Sequence, residues 1–178
     1  AQVSVLRFWS LDALSTTRAG RTGRALTLTP LPSPDEMAPL QLAGDAEAVT
    51  TTKILSAASL AGLPIEIVAG GAPRTPCGLS VPELRLPNGG VVRHTNAVMR
   101  HVAQITETSL MGSCFAEEGQ VDGWLEWVLL EVDHHLANGE TDLTPICQVL
   151  EPYLRSRTFL VGQRLTIADI SAACSLKA

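Results

Sequence analysis

The segment TFLVGQRLTIADI, residues 158–170, is the part of the sequence most informative about the fold. One apolar run ends at Gly162, and a second begins at Thr166-x-x-Asp169. A threonine hydroxyl at such a position can accept from the backbone N–H three residues on. An acidic residue three positions later can bond back to the first N–H, and it faces the positive end of the helix. The spacing therefore predicts a helix start capped by Thr166 and Asp169, and a structural role for both residues.

The composition is that of a small aliphatic domain. The chain has 178 residues, of which 46% are hydrophobic and only 4% aromatic. No apolar run approaches the ~20 residues that a membrane span requires. The four cysteines form no CxxC motif, which favours free, buried thiols in a reducing compartment. We therefore expect a cytoplasmic protein without membrane contact.

Charge is distributed unevenly along the chain. The first 34 residues hold four arginines and one aspartate, whereas the remainder holds nine basic and seventeen acidic residues. Phosphate binding needs clustered Lys and Arg, so we expect tRNA to be contacted only indirectly. Residues 1–37 are interpreted as a poorly ordered or targeting-like extension followed by a proline-rich linker.

Residues 38–106 alternate between strand and helix patterns. A strand near Leu40 is followed by a helix that Asp45 could cap, and then by a second strand, which indicates a parallel βαβ unit. The turn-rich GGAPRTPCG is too broken by glycine and proline to form a full second crossover helix. Asn88-Gly89 predicts a β-hairpin, after which Thr95 could cap a helix.

Residues 107–178 carry only helical spacing, and we interpret them as a truncated helical subdomain. Two amphipathic patterns precede the helix at Thr166. Their apolar positions are Val121, Trp124, Leu125, Val128, Leu129 and Val132 in the first, and Leu143, Ile146, Val149, Leu150 and Leu154 in the second. The Trp124 and Trp127 pair is expected in the core or at an interface.

No residue pattern commits the chain to catalysis. His134 and His135 are adjacent, so on a helix they point about 100° apart and cannot share one metal ion. Asp122, Glu126 and Asp133 lie on an acidic helix and are assigned to solvated surface. The GxSxG, HExxH and GKS/T motifs are absent from the sequence. We therefore predict no catalytic residue and no metal site.

From about Leu40 onward the chain resembles glutathione-transferase-like proteins. The marks are Val81-Pro82 before the hairpin, where the family has a cis proline, His94-Thr95 where the family has an acidic residue and serine, and the Thr166 capping box. The resemblance implies a thioredoxin-like α/β half over residues 38–106 and an all-α half over residues 107–178.

A narrower resemblance concerns function. QVDGWLEWVLLEVDHHL and LRSRTFLVGQRLTIADISAACSLKA resemble appended domains of eukaryotic glutamyl-type aminoacyl-tRNA synthetases. Methionyl-type domains and the elongation-factor gamma subunit are similar. This implies a non-catalytic docking domain that brings a synthetase, here a glutamate–tRNA ligase, into a multi-synthetase complex. Its partners would be other glutathione-transferase-like domains or a second copy. The alternatives are an active glutathione transferase and an elongation-factor gamma subunit.

The resemblance also implies a vestigial glutathione pocket at Val81, Pro82, His94 and Thr95. His94 replaces the acid that would pair with the ligand ammonium, so a charge-assisted hydrogen bond of roughly 1.5–3 kcal/mol is lost. No Tyr, Ser or Cys lies between Gly44 and Thr52 to activate a thiol. A threonine among Thr50, Thr51 and Thr52 could substitute, which keeps the enzyme alternative open. We expect no cofactor, with glutathione only under that alternative.

Two groups of side chains are candidate docking surfaces. Arg and Met are enriched at interfaces, and basic residues in an acidic half could meet a partner's carboxylates. The first group comprises Arg93, Met99 and Arg100, and the second comprises Arg155, Arg157 and Lys177.

Overall fold

A computed structural model of the chain describes residues 40–68, 71–76, 78, 80–106 and 108–177. The predicted extension and linker over residues 1–37 lie outside these ranges. Among the described residues, no helix combines the length and the apolar character needed to cross a membrane.

A four-stranded mixed sheet forms the first half. Its strands are β1 (Leu40–Ala43), β2 (Ile65–Ile67), β3 (Glu83–Arg85) and β4 (Val91–Arg93), in the order β2-β1-β3-β4. β1 pairs parallel to β2 and antiparallel to β3, and β3 pairs antiparallel to β4. Helix α1 (Val49–Leu60) connects β1 to β2. The predicted βαβ unit and hairpin are confirmed, and the sheet and helix form the expected thioredoxin-like half.

The region between β2 and β3 is short of regular structure, as its glycines and prolines predicted. Its described residues contain an isolated bridge between Arg74 and Ser80. The following hairpin turns at Asn88, whose Oδ1 accepts from Gly90 N at 2.9 Å. Gly89 has a φ of 82°, a left-handed conformation that glycine adopts without steric cost.

Both predicted helix caps in this half are wrong. α1 begins after Ala48, and Asp45 accepts from the backbone two residues on, so it closes the preceding turn instead of capping the helix. Helix α2 (Thr95–Ile105) has His94 at its N-cap position. Thr95 is therefore the first helical residue, and the helix begins one position earlier than the spacing suggested.

The regular structure of the second half is helical in all of its described residues. A 3-10 turn (Ser109–Met111) precedes helix α3 (Phe115–Trp127). Helix α3 continues through a π-helical segment (Val128–Asp133) into α4 (His134–Ala137). Helices α5 (Thr144–Leu154) and α6 (Ile167–Lys177) follow. One continuous core joins the two halves. Its fully buried members include Leu42, Leu84, Val98, Met99, Val121, Leu125 and Ile167.

The Asp169 carboxylate holds the start of α6. It accepts from Thr166 N at 2.9 Å and from the Thr166 hydroxyl at 2.8 Å through Oδ2, and from Leu160 N at 2.8 Å through Oδ1. Thr166 is fully buried. The predicted bond from Asp169 back to Thr166 is thus confirmed, and the same carboxylate also anchors the preceding loop.

Aromatic side chains link α3 to α5. The Trp124 ring packs edge-on against Trp127 at 5.2 Å and against Tyr153 at 4.8 Å. Tyr153 donates its hydroxyl hydrogen to Leu160 O at 2.8 Å, and the Arg157 guanidinium lies 4.3 Å from its ring centroid. This cluster is a satellite of the core, as the tryptophan spacing indicated.

The thiols are less buried than the sequence suggested. Cys114 and Cys147 are exposed, and Cys174 is half-buried. The prediction of buried thiols is therefore wrong for these positions. Cys114 lies at the N-cap position of α3, and Cys147 lies on the outer face of α5.

Candidate functional site

The four residues of the predicted vestigial pocket line one cavity. Val81, Pro82, His94 and Thr95 surround a volume of about 350 Å³ at the junction of the two halves. The remaining lining residues are Thr50, Ser80, Asn96, Ala97, Arg100, Glu126 and Leu129. Residues from both halves thus form the site, although the sequence pointed only to the thioredoxin-like side.

The peptide bond before Pro82, which lines the cavity, differs from the cis bond of the family pattern. No cis peptide bond occurs among the described residues, so the Val81–Pro82 bond is trans. Val81 N donates to Pro73 O and His94 N donates to Pro82 O, both at 3.1 Å. The trans form is also the intrinsically preferred one for X–Pro bonds, by about 0.5–1 kcal/mol. The expectation of a cis proline is wrong.

His94 holds a strained backbone conformation at the cavity rim. Its φ is 71°, the left-handed region that side-chain-bearing residues rarely occupy. Such strain persists where surrounding structure fixes it, and it clusters at ligand sites. The side chain is exposed and carries an imidazole where an acid would pair with a ligand ammonium. At this position the cavity rim therefore has a strained backbone and no carboxylate.

The threonines after β1 fall in three different environments. Thr51 is fully buried, and its hydroxyl has no hydrogen-bond partner. Thr52 is exposed and donates to Ala48 O at 3.3 Å. Thr50 alone of the three lines the cavity formed with His94. Of the three threonines considered as substitutes for a thiol activator, Thr51 and Thr52 therefore do not line this cavity, whereas Thr50 does.

Arg100 lines the cavity and forms ion pairs with two carboxylates. Its Nε lies 2.5 Å from Asp122 Oδ1, and its Nη2 lies 3.4 Å from Glu126 Oε1. Both carboxylates belong to α3, so the pairs bridge the two halves. Asp122 and Glu126 lie at the surface as predicted, with side chains 48% and 52% exposed, but both pair with Arg100, which is thus already partnered within the chain.

The first candidate docking group is only partly available at the surface. Met99 is fully buried in the core, so its assignment to an interface is wrong. Arg93 is exposed but pairs with Glu83 at 2.9 Å, and Arg85 approaches the same carboxylate at 3.2 Å. Burial raises the pKa of Glu83, but hydrogen bonds and charge from the two arginines outweigh burial and lower the pKa below its ordinary value of 4.5.

The second candidate docking group is exposed. Arg155 and Arg157 lie at the end of α5 and beyond it, and Lys177 ends α6. Arg157 also donates to Tyr153 O at 3.2 Å. Their role in docking stays a prediction.

The histidine pair serves a local contact. His134 is exposed, whereas the His135 ring lies 3.0 Å from Glu140 Oε2 and 2.7 Å from Asp142 O. His135 therefore ties the end of α4 to the loop before α5. Within the described ranges, no group of three or more metal-ligating side chains occurs.

An ion pair between a buried lysine and a half-buried aspartate is the polar feature that sequence reasoning missed. The Lys53 side chain is 2% exposed, and its Nζ lies 2.6 Å from Asp133 Oδ2. Ser175 donates to Asp133 Oδ1 at 2.6 Å. The assignment of Asp133 to solvated surface is wrong. The available signal was the position of Lys53 four residues before Ala57, within the apolar stripe of α1.

Comparisons with known proteins agree with this architecture. Residues 133–178 match the family model for the glutathione S-transferase C-terminal domain. A possible glutathione S-transferase from Rhodopseudomonas palustris superposes with a TM-score of 0.66 at 20% identity, covering 79% of this chain and 81% of that structure. The predicted fold is confirmed.

Sequence relatives point to translation elongation. Elongation factor 1-gamma from Trypanosoma cruzi is 32% identical over 74% of this chain, and the match spans 38% of that relative's length. Human elongation factor 1-gamma is 30% identical over 70% of this chain, with 35% of the relative covered. Mouse elongation factor 1 epsilon-1 is 31% identical over 51% of each chain.

These relatives correct the functional prediction. The prediction of a synthetase docking domain is wrong, and so is the prediction of a parent glutamate–tRNA ligase. The sequence relatives reported above are elongation factor 1 proteins, not synthetases. The alternative of a gamma subunit fits better. The chain has the glutathione S-transferase fold, and its sequence is similar to that of elongation factor 1-gamma.

Proposed function

We propose that this chain is the glutathione-transferase-like region of an elongation factor 1-gamma-type subunit. In this role it docks the other subunits of elongation factor 1 through its folded surface and does not turn over glutathione. The single observation that carries the proposal is the similarity to elongation factor 1-gamma over about three quarters of the chain, 74% for the trypanosomal protein.

The cavity supports a docking role over a catalytic one. His94 supplies no carboxylate for a ligand ammonium, and the hydroxyl facing the cavity after β1 belongs to Thr50. An unassisted threonine hydroxyl is a weak group for thiol activation, because such groups need a base or a lowered pKa. Arg100 is occupied by Asp122 and Glu126.

Comigration with purified subunits tests the proposal. The chain should elute together with the remaining subunits of elongation factor 1 on gel filtration, as one complex of larger size. An active glutathione transferase of the same fold is the control and should elute alone. Separate elution of this chain at micromolar concentrations would overturn the docking proposal.

A direct assay addresses the enzyme alternative. We expect no conjugation of glutathione to a standard electrophile above the uncatalysed rate. Thr50→Val is the informative variant, because Thr50 lines the cavity, and Thr52→Val is its exposed neighbour control. A measurable rate that Thr50→Val abolishes and Thr52→Val leaves unchanged would contradict the non-catalytic assignment.

A further inference from the structure

The two halves are joined by a part-buried polar contact, in which the Lys53 side chain is 2% exposed and the Asp133 side chain 27% exposed. Lys53 belongs to α1, Asp133 ends the π-helical segment, and Ser175 lies in α6. Asp133 accepts from both partners at 2.6 Å, one on each carboxylate oxygen. Ser175 is also fully buried. Three elements from the two halves therefore converge on one carboxylate.

The π-helical segment explains how Asp133 reaches this position. In an α-helix, residues five apart are separated by about 140° around the axis, because each residue advances about 100°. Val128 faces the core, so a regular helix would turn Asp133 well away from it. A π-helix bonds residue i to residue i+5, which brings residues five apart onto one side. The π-helical turn thus places the Asp133 side chain on the side of the helix that contacts Lys53.

A part-buried pair of this kind is a poor source of net stability. Taking an ion out of water costs several kcal/mol, and here that cost falls mainly on Lys53, because the Asp133 side chain stays 27% exposed. The attraction between the two charges offsets the cost only when the geometry is good. Removing one partner is strongly destabilising because the other charge stays buried. Replacing both with apolar side chains is often neutral. The pair instead contributes orientational specificity. Apolar contacts are compatible with several relative positions of the two halves, whereas the hydrogen-bond geometry of the ion pair favours one.

We propose that Lys53, Asp133 and Ser175 form an inter-half latch, positioned by the π-helical segment, that holds the thioredoxin-like and helical halves in one relative orientation. The latch is a conformational device and acts independently of the partner that the chain binds. The bridge from Arg100 to Asp122 joins the same halves but is more open to solvent, with side chains 26% and 48% exposed, and is therefore screened more strongly than the pair at Lys53. It therefore provides a matched control.

A double-mutant cycle with two readouts tests the latch. Asp133→Leu leaves the buried Lys53 unpaired and should raise the unfolded-to-folded ratio by ~100-fold or more in denaturant unfolding. Lys53→Met leaves the partly exposed Asp133 unpaired and should raise that ratio by a smaller factor. The double variant should return to within ~10-fold of the parent. Its amide NMR spectrum should nevertheless show doubled or broadened signals for α1 and α6, because the halves sample more than one packing. Arg100→Met should keep one sharp set of signals.

Two results would overturn the latch. A double variant with the same single, sharp set of α1 and α6 signals as the parent would show that apolar packing alone fixes the orientation. A double variant as unstable as the sum of the two single variants would show that Lys53 and Asp133 act independently. In both experiments the parent chain is measured under the same conditions.

Discussion

At the residue scale, single carboxylates organise several parts of this fold. Asp169 joins the loop at Leu160 to the start of α6, and Asp133 joins three elements. Glu83 gathers two arginines on β3 and β4. In a chain with few aromatic residues, these polar contacts fix positions that large side chains would otherwise fix by packing.

Asp169→Ala should destabilise the protein by about 2 kcal/mol, the upper part of the range for losing a helix cap. The reason is that Asp169 accepts three hydrogen bonds, one of them from the buried Thr166 hydroxyl. Urea unfolding measures the change. Asp142→Ala is the matched control, because Asp142 is exposed and its carboxylate accepts from the backbone N–H of Thr144, the first residue of α5. Equal losses in the two variants would contradict a special role for Asp169.

Glu83 should make stability depend on acid pH. Its pKa is lower in the folded protein, so its contribution is present above the ordinary value of 4.5 and is lost as pH falls through the folded pKa. Glu83→Gln should flatten the fall in unfolding free energy below about pH 5. Arg93→Met should move that fall to higher pH. Identical pH profiles for the parent and Glu83→Gln would rule out this linkage.

At the scale of elements, helix α3 and its extension carry features that propensity does not explain. α3 contains two exposed glycines, Gly119 and Gly123, with open space where a side chain would lie. Glycine in an exposed helix costs about 1 kcal/mol relative to alanine. The helix therefore depends on tertiary contacts, chiefly the burial of Val121 and Leu125.

Gly123→Ala should stabilise the protein by about 0.5–1 kcal/mol, because it adds helix propensity without a clash. Gly162→Ala should have the opposite effect, by about 1–2 kcal/mol, since Gly162 has a φ of 60° and an added Cβ would lie 2.7 Å from Glu117 Oε1. Thermal unfolding of both variants measures the contrast. A rise in melting temperature for Gly162→Ala would refute the loop geometry.

The sequence predicted those elements that have local signals. The hairpin at Asn88-Gly89 and the start of α6 were predictable, because turn and cap chemistry act over a few residues. The π-helical segment was not, since the spacing of Val128 and Val132 also fits an α-helix. The pairing of Lys53 with Asp133 joins residues 80 positions apart. Such a contact exists only once the two halves pack, so composition and periodicity could not show it.

At the scale of the whole molecule, we expect the chain to associate with other chains and to have no catalytic activity. We expect the purified chain to form at least a homodimer at tens of micromolar, which sedimentation velocity would measure. Binding through Arg155, Arg157 and Lys177 would weaken with added salt, because exposed charges are screened beyond about 10 Å at 0.1 M. A strictly monomeric species at all salt concentrations would contradict self-association.

The most direct test of the central claim is competition for the elongation factor. A complex of this chain with the remaining subunits of elongation factor 1 is titrated with elongation factor 1-gamma from Trypanosoma cruzi, and the bound fraction of this chain is followed by sedimentation. If the chain is a gamma-type docking region, the added protein should displace it in proportion to its concentration. Simultaneous binding of both proteins, or no complex with this chain at the outset, would contradict the account.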